Sequence, residues 1–131
     1  MDGQFIVDEP GLRELLKVWE EILNLQSWDV KTGIYRERDF CGPERQGENE
    51  YNLATGTSLI RILDPADYPE SKFKQDMEVT LVHELLHLLF APFEPDEGNN
   101  ELEHKFMERA ICQLSEVLVR LKREAQRNAE F

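Results

Sequence analysis

The run Val79-Thr80-Leu81-Val82-His83-Glu84-Leu85-Leu86-His87-Leu88-Leu89-Phe90 limits what this chain can fold into more than any other stretch. It is apolar on nearly all sides, so as a helix it has to pass through the middle of a domain. It nevertheless carries two of the chain's 3 histidines and a glutamate, groups that are costly in a core unless something pairs them. A four-residue step on a helix is slightly more than one turn. His83 and His87 therefore stand on one face, at a spacing that one tetrahedral Zn²⁺ can bridge. Glu84 lies beside that face, placed to take a proton from a water that such an ion activates. The plainer reading is a pair of hydrogen-bonded core histidines, and the desolvation cost argues against it.

The 131 residues suit one domain spanning 1–131, with no room for a second core. Asp8-Glu9-Pro10 supplies a cap, an acidic first turn and a tolerated proline. Leu12, Leu15, Leu16, Trp19, Ile22 and Leu23 then recur at helical spacing, predicting a helix from about residue 9 to 26 that covers a sheet. Trp28 to Arg36 alternates as a strand does, Asp39 to Asn49 reads as a loop, and Tyr51–Thr55 and Thr57–Leu63 read as two further strands around Gly56. Together these predict an α+β domain with a small, mostly antiparallel sheet of three strands. An uncovered sheet edge beside the metal would take an extended peptide by strand addition, whereas a loop over that edge would prevent it. Asp64 to Gln75 is a connector. The histidine helix is expected from the cap Asp76 to Ala91, where Pro92 stops it. Pro92 to Asn100 is a break, and a long helix fills about 101 to 129.

A catalytic zinc keeps three protein ligands and one position for water. The amino-terminal turns of the last helix offer Glu101, Glu103, His104 and Glu108 as the third. At about 100° per residue from Leu102, the apolar residues Phe106, Met107, Ala110, Ile111, Leu114, Val117 and Leu121 centre near roughly 110°. Glu103 falls at about 100°, His104 at about 200° and Glu108 at about 240°. A carboxylate centred on a buried stripe needs a cation, so Glu103 is the expected ligand, with His104 as the alternative. His104 at the margin could instead stabilise an oxyanion. Tyr51, Tyr35 and Tyr68 are weaker candidates for that role.

The net charge of −12 argues against a surface that tracks phosphates, so nucleic acid is an unexpected partner. The amino terminus lacks the basic start and apolar run of a secretory signal, and no stretch reads as a membrane span, which points to the cytoplasm. Cys41 and Cys112 read as reduced thiols, although Cys41 could plug the metal's open position.

With His83-Glu84-x-x-His87 on one helix and Glu103 at the start of the next, the chain resembles the gluzincin branch of zinc metallopeptidases. Trp28-Asp29-Val30, Ser58-Leu59-Ile60-Arg61-Ile62, Thr80 to His87 and Glu103 before Ala110 look more closely like small uncharacterised metallopeptidases of phages and prophages. The resemblance spans roughly residues 25 to 118, and the H-E-L-L-H helix is its sharp motif. It implies a minimal zincin that hydrolyses peptide bonds in a peptide or protein substrate, with one catalytic Zn²⁺ held by His83, His87 and Glu103, and Glu84 as general base and acid. Gluzincins often place a carboxylate four residues after the glutamate ligand to orient a histidine. Here that position is Met107, so the orienting group has to be a backbone carbonyl or a loop carboxylate. Two rival functions are a zincin-fold binding or regulatory module closed by a fourth ligand such as Cys41 or His104, and a nucleic-acid-linked protease of the SprT type. The acidic balance and the lack of a zinc ribbon or basic patch weaken the second.

Overall fold

The computed structural model describes residues 4–70, 74–94 and 101–129. Parts of the amino terminus, of the connector before the histidine helix and of the break after it lie outside those residues. The domain is α+β, as its sequence predicts. It comprises α1 (Glu9–Ile22), β1 (Asp29–Tyr35), β2 (Gly47–Asn52), β3 (Thr57–Leu63), α2 (Met77–Phe90) and α3 (Glu101–Ala129). No helix among the described residues is long and apolar enough to cross a membrane.

Asp8 caps α1 by accepting from the Gly11 amide at 2.9 Å, and Leu12, Leu16 and Trp19 are its buried face. The helix stops short of the expected residue 26. Asn24 takes a left-handed φ of 59°, which asparagine tolerates, and the Leu25 amide turns back to the Glu20 carbonyl at 2.8 Å in a helix-ending turn. Asp76 caps α2 as expected, accepting from the Glu78 and Val79 amides.

The sheet departs from the mostly antiparallel expectation. Its order is β1-β3-β2, with β1 parallel to β3 and β2 antiparallel to it. β2 also begins inside the stretch read as a loop and ends at Asn52, and residues 53–56 form the turn. That strand was hidden because charges carry its alternation. Glu48, only 5 % exposed, and Glu50 both pair with Arg61 of β3. Register places Val30, Thr32 and Ile34 with Ser58, Ile60 and Ile62 and with Gly47, Asn49 and Tyr51 on the opposite face. This face carries α1 and α2. Leu81, Val82, Leu85 and Leu86 of α2 join Ile60, Ile62, Leu12 and Trp19 in the core.

α3 packs on α2 with a different face from the one its apolar stripe predicts. Ile111, Ser115 and Val119 are buried, and Met107 and Leu118 pack beside them. Leu102, Phe106 and Leu121 are more than half exposed. The inward face centres near roughly 200° on the scale above, about a quarter turn from the expected one. Charge sets this rotation. Glu78 of α2, 1 % exposed, accepts from Lys122 Nζ at 2.6 Å, Arg123 at 3.0 Å and Trp19 Nε1 at 2.8 Å. Arg123 also grips the cap Asp76 at 2.9 and 3.1 Å. Burial pushes the Glu78 carboxyl up, but Lys122, Trp19 and Arg123 outweigh it and hold the group below its ordinary range. Turning the apolar stripe inward would strand Glu78 without its cations, a break that costs about 3–5 kcal/mol, and would turn Ile111 and Val119 out of the core. Glu78→Ala, which leaves Lys122 half of a broken pair, is expected to destabilise the fold by about 3–5 kcal/mol, read as a lower urea midpoint at unchanged slope.

Candidate metal centre

α2 presents His83 and His87 one turn apart toward α3, with ring centroids 5.2 Å apart. Between them and α3 lies the carboxylate of Glu108. One of its oxygens is 2.8 Å from His83 Nε2 and the other 3.2 Å from His87 Nε2. Two imidazole nitrogens and a carboxylate from separate helices thus converge, but the carboxylate is not the expected one. Glu103 is exposed and absent from the cavity that His83 and His87 line. The quarter-turn rotation of α3 replaces it with Glu108, which on the stripe argument faced away. The signal for Glu108 was the spacing of Glu108, Ile111, Ser115, Leu118 and Lys122. It is helical, but mixes polar with apolar residues and has meaning only once Glu78 is known to lie opposite.

The other ring nitrogens are also held. His87 Nδ1 donates to Glu94 Oε1 at 2.7 Å, and the second oxygen of Glu94 accepts from the Tyr51 hydroxyl at 2.6 Å. Glu94 is a carboxylate just after α2, one of the two kinds of orienting group the sequence left open, and it fixes the His87 tautomer that leaves Nε2 toward Glu108. Near His83 Nδ1, at 3.7 Å, is the thiol of Cys112. Counted from Glu108 instead of Glu103, this is the residue four positions on, where the resemblance looked for an orienting group. Burial, with Glu108, Glu116 and Glu84 nearby, pushes the Cys112 thiol up, so it stays protonated. His83, Glu108 and Cys112 offer ligand atoms all within 4.8 Å of one another. Cys112 nonetheless approaches the ring nitrogen of His83 that Glu108 does not contact. Cys41 groups with Glu48 and Glu50 instead, its amide bound to Glu48 at 3.0 Å, and is no plug for this site.

Glu84 is 8 % exposed. Burial raises its carboxyl above the ordinary range, against the pull of His83 and His87. Gly47 of β2 lies directly over it. A Cβ there would come within 2.5 Å of Thr80 Cγ2 and 3.3 Å of Glu84 Oε2, so only glycine lets the strand pass this close. Asn49 Nδ2 fixes the strand to the helix by donating to the Glu84 carbonyl at 2.9 Å. Two cavities meet at this point. One of about 530 Å³ extends along Gly47, Asn49 and Tyr51, the other of about 400 Å³ along Glu44, Gln46 and Val79, and His83, Glu84 and Glu108 line both. His104 borders the first. Its Nε2 is buried and has no hydrogen-bond partner among the described residues. Tyr35 instead stacks under Arg61 on the far side of the sheet. Tyr68 lines neither cavity.

Burial would lower the His87 pKa, but Glu108 and Glu94 outweigh it and raise it to about 9. His87 therefore holds a proton through neutral pH, and a divalent ion bound at its Nε2 would have to displace it. Zinc affinity is expected to rise by about tenfold per pH unit from 7 until it levels near pH 9, with one proton released per ion bound. Competition against a chromogenic chelator across that range measures the slope, and an affinity independent of pH would contradict it. No protein-family model matches the chain, and no curated protein or solved structure is significantly similar to it.

Proposed function

We propose that this chain is a zinc-dependent peptidase, a minimal zincin-like domain that hydrolyses amide bonds in extended peptide segments. The supporting observation is the meeting of His83 Nε2, His87 Nε2 and the Glu108 carboxylate beside a buried glutamate and a strand edge. The donor set fits zinc, with one carboxylate and two imidazoles that bind once His87 gives up its proton, and His87 Nδ1 is already oriented by Glu94. When bound there, zinc supplies Lewis acidity that polarises a carbonyl and acidifies water.

The chain's own groups account for the remainder. Glu84, lifted by burial, accepts a proton from the attacking water and delivers it to the leaving amine, the transfer for which a carboxyl shifted toward neutrality is suited. Glu94, backed by the Tyr51 hydroxyl, keeps the His87 ring in place. His104 borders the same cavity, and its buried Nε2, which has no hydrogen-bond partner among the described residues, is the candidate donor for the carbonyl oxygen once substrate opens access to it.

β2 positions the substrate. The Leu63 amide donates to the Gln46 carbonyl at 2.8 Å, so in the antiparallel register the residues bonded to β3 are Gln46, Glu48, Glu50 and Asn52. The amides and carbonyls of Gly47, Asn49 and Tyr51 then point outward, along the edge that passes over Glu84. An extended peptide pairing with them would run through both cavities and lie with one carbonyl above the metal residues.

The test is removal and restoration of metal. Chelated protein is expected to leave an unfolded substrate such as casein intact, and one equivalent of zinc to restore cleavage. Protein that binds one zinc and cleaves no peptide across a diverse peptide library would overturn the peptidase reading.

A further inference from the structure

The rotation that brings Glu108 to the histidines turns the apolar stripe of α3 outward. Leu102 is 64 % exposed, Phe106 63 %, Leu114 38 %, Val117 37 % and Leu121 51 %, with Ala110 exposed between them. These six residues lie within about 120° of one another on the helix and extend over about 28 Å of its length. Ile22 of α1, 51 % exposed, widens the stripe at its carboxyl end, where it and Leu121 line one apolar groove. An apolar surface of this length, interrupted by the exposed Glu103 and Glu124 within its sector, on a chain with net charge −12 marks a place where something docks.

We propose that the occupant is a second copy of this chain, its α3 antiparallel to the first across a two-fold axis near Ile111 and Cys112. The stripe is nearly symmetric about that point. In this register Leu102 meets the second copy's Leu121, Phe106 meets Val117, and Ala110 and Leu114 fill the centre, so large residues at one end find large residues at the other. Charge selects the orientation through one flank of the stripe. Glu108 faces the histidines, Lys122 and Arg123 are held by Glu78 and Asp76, and the remaining charges balance within each half of α3. A parallel pair sets that flank against the opposite one, whereas an antiparallel pair sets it against itself. On one flank of the stripe Arg109 and Glu116, both exposed, lie at about 340° and 320° on the helical scale. Under the two-fold, equivalent flanks face each other. Arg109 therefore meets the second copy's Glu116, and the contact occurs twice.

The interface is on the order of 1,000 Å², at the small end for a specific complex, so micromolar self-association is expected. Sedimentation equilibrium from about 1 to 200 µM should show a monomer–dimer equilibrium. Val117→Glu should give a monomer throughout that range with an unchanged melting temperature, because the residue faces outward. Arg109→Glu and Glu116→Arg should each weaken the dimer by roughly tenfold, and the double exchange should restore it. A wild-type chain that stays monomeric, a Val117→Glu dimer, or a double exchange no tighter than the single ones would each overturn the proposal. Glu116 borders one of the two cavities, but neither it nor the others contacts His83 or His87, and association is read without zinc or substrate, so this result and the peptidase test stand apart.

Discussion

Glu84→Gln is expected to reduce peptide hydrolysis by about three orders of magnitude while the protein still binds one equivalent of zinc. The amide is nearly isosteric and keeps the packing under Gly47, so the fold and the positions of His83 and His87 should be preserved. The variant lacks a group that can accept a proton and hand it on. Glu84 is almost wholly buried beside the two imidazoles, and no other carboxylate among the described residues is equivalent. Glu108 lies between the imidazole nitrogens, and Glu94 is engaged by His87 and Tyr51. The loss should fall on kcat, because a proton carrier acts in the transition state and not in substrate binding. Steady-state kinetics with zinc content measured on the same sample decides it. A variant as active as its parent would exclude Glu84 from the chemistry.

The second large effect separates two glutamates five residues apart on one helix. Glu108→Ala is expected to weaken zinc binding by more than about a hundredfold, since loss of an orienting partner alone can cost 10–100-fold and a ligand should cost more. Glu103→Ala should stay within about threefold of the parent, because its side chain is solvent-exposed. Chelator competition on both variants at one pH measures the difference. The opposite ranking would mean that α3 sits in the rotation its apolar stripe suggested, and the Glu78 cluster would then need another explanation.

Much of the site was legible because it is local. His83, Glu84 and His87 share one helix, and their relative placement follows from a fixed rotation per residue. The helix bounds of α2 were similarly accessible, since Asp76 and Pro92 act on their immediate neighbours. β2 was less accessible, because its pattern of Glu48 and Glu50 makes sense only beside Arg61. The end of α1 depended on a single left-handed Asn24.

The sequence by itself determined that a buried helix would carry two imidazoles and a glutamate on one side, within an α+β domain of this order. Only the tertiary structure decided which carboxylate reaches them and which face of α3 meets solvent. Periodicity reports where apolar groups fall around a helix, but not whether buried charges on a neighbouring helix require a different face. Here Glu78 and Asp76 of α2 claim Lys122 and Arg123. That pairing turns α3 so that Glu108 points to the histidines and the apolar stripe points away from the core.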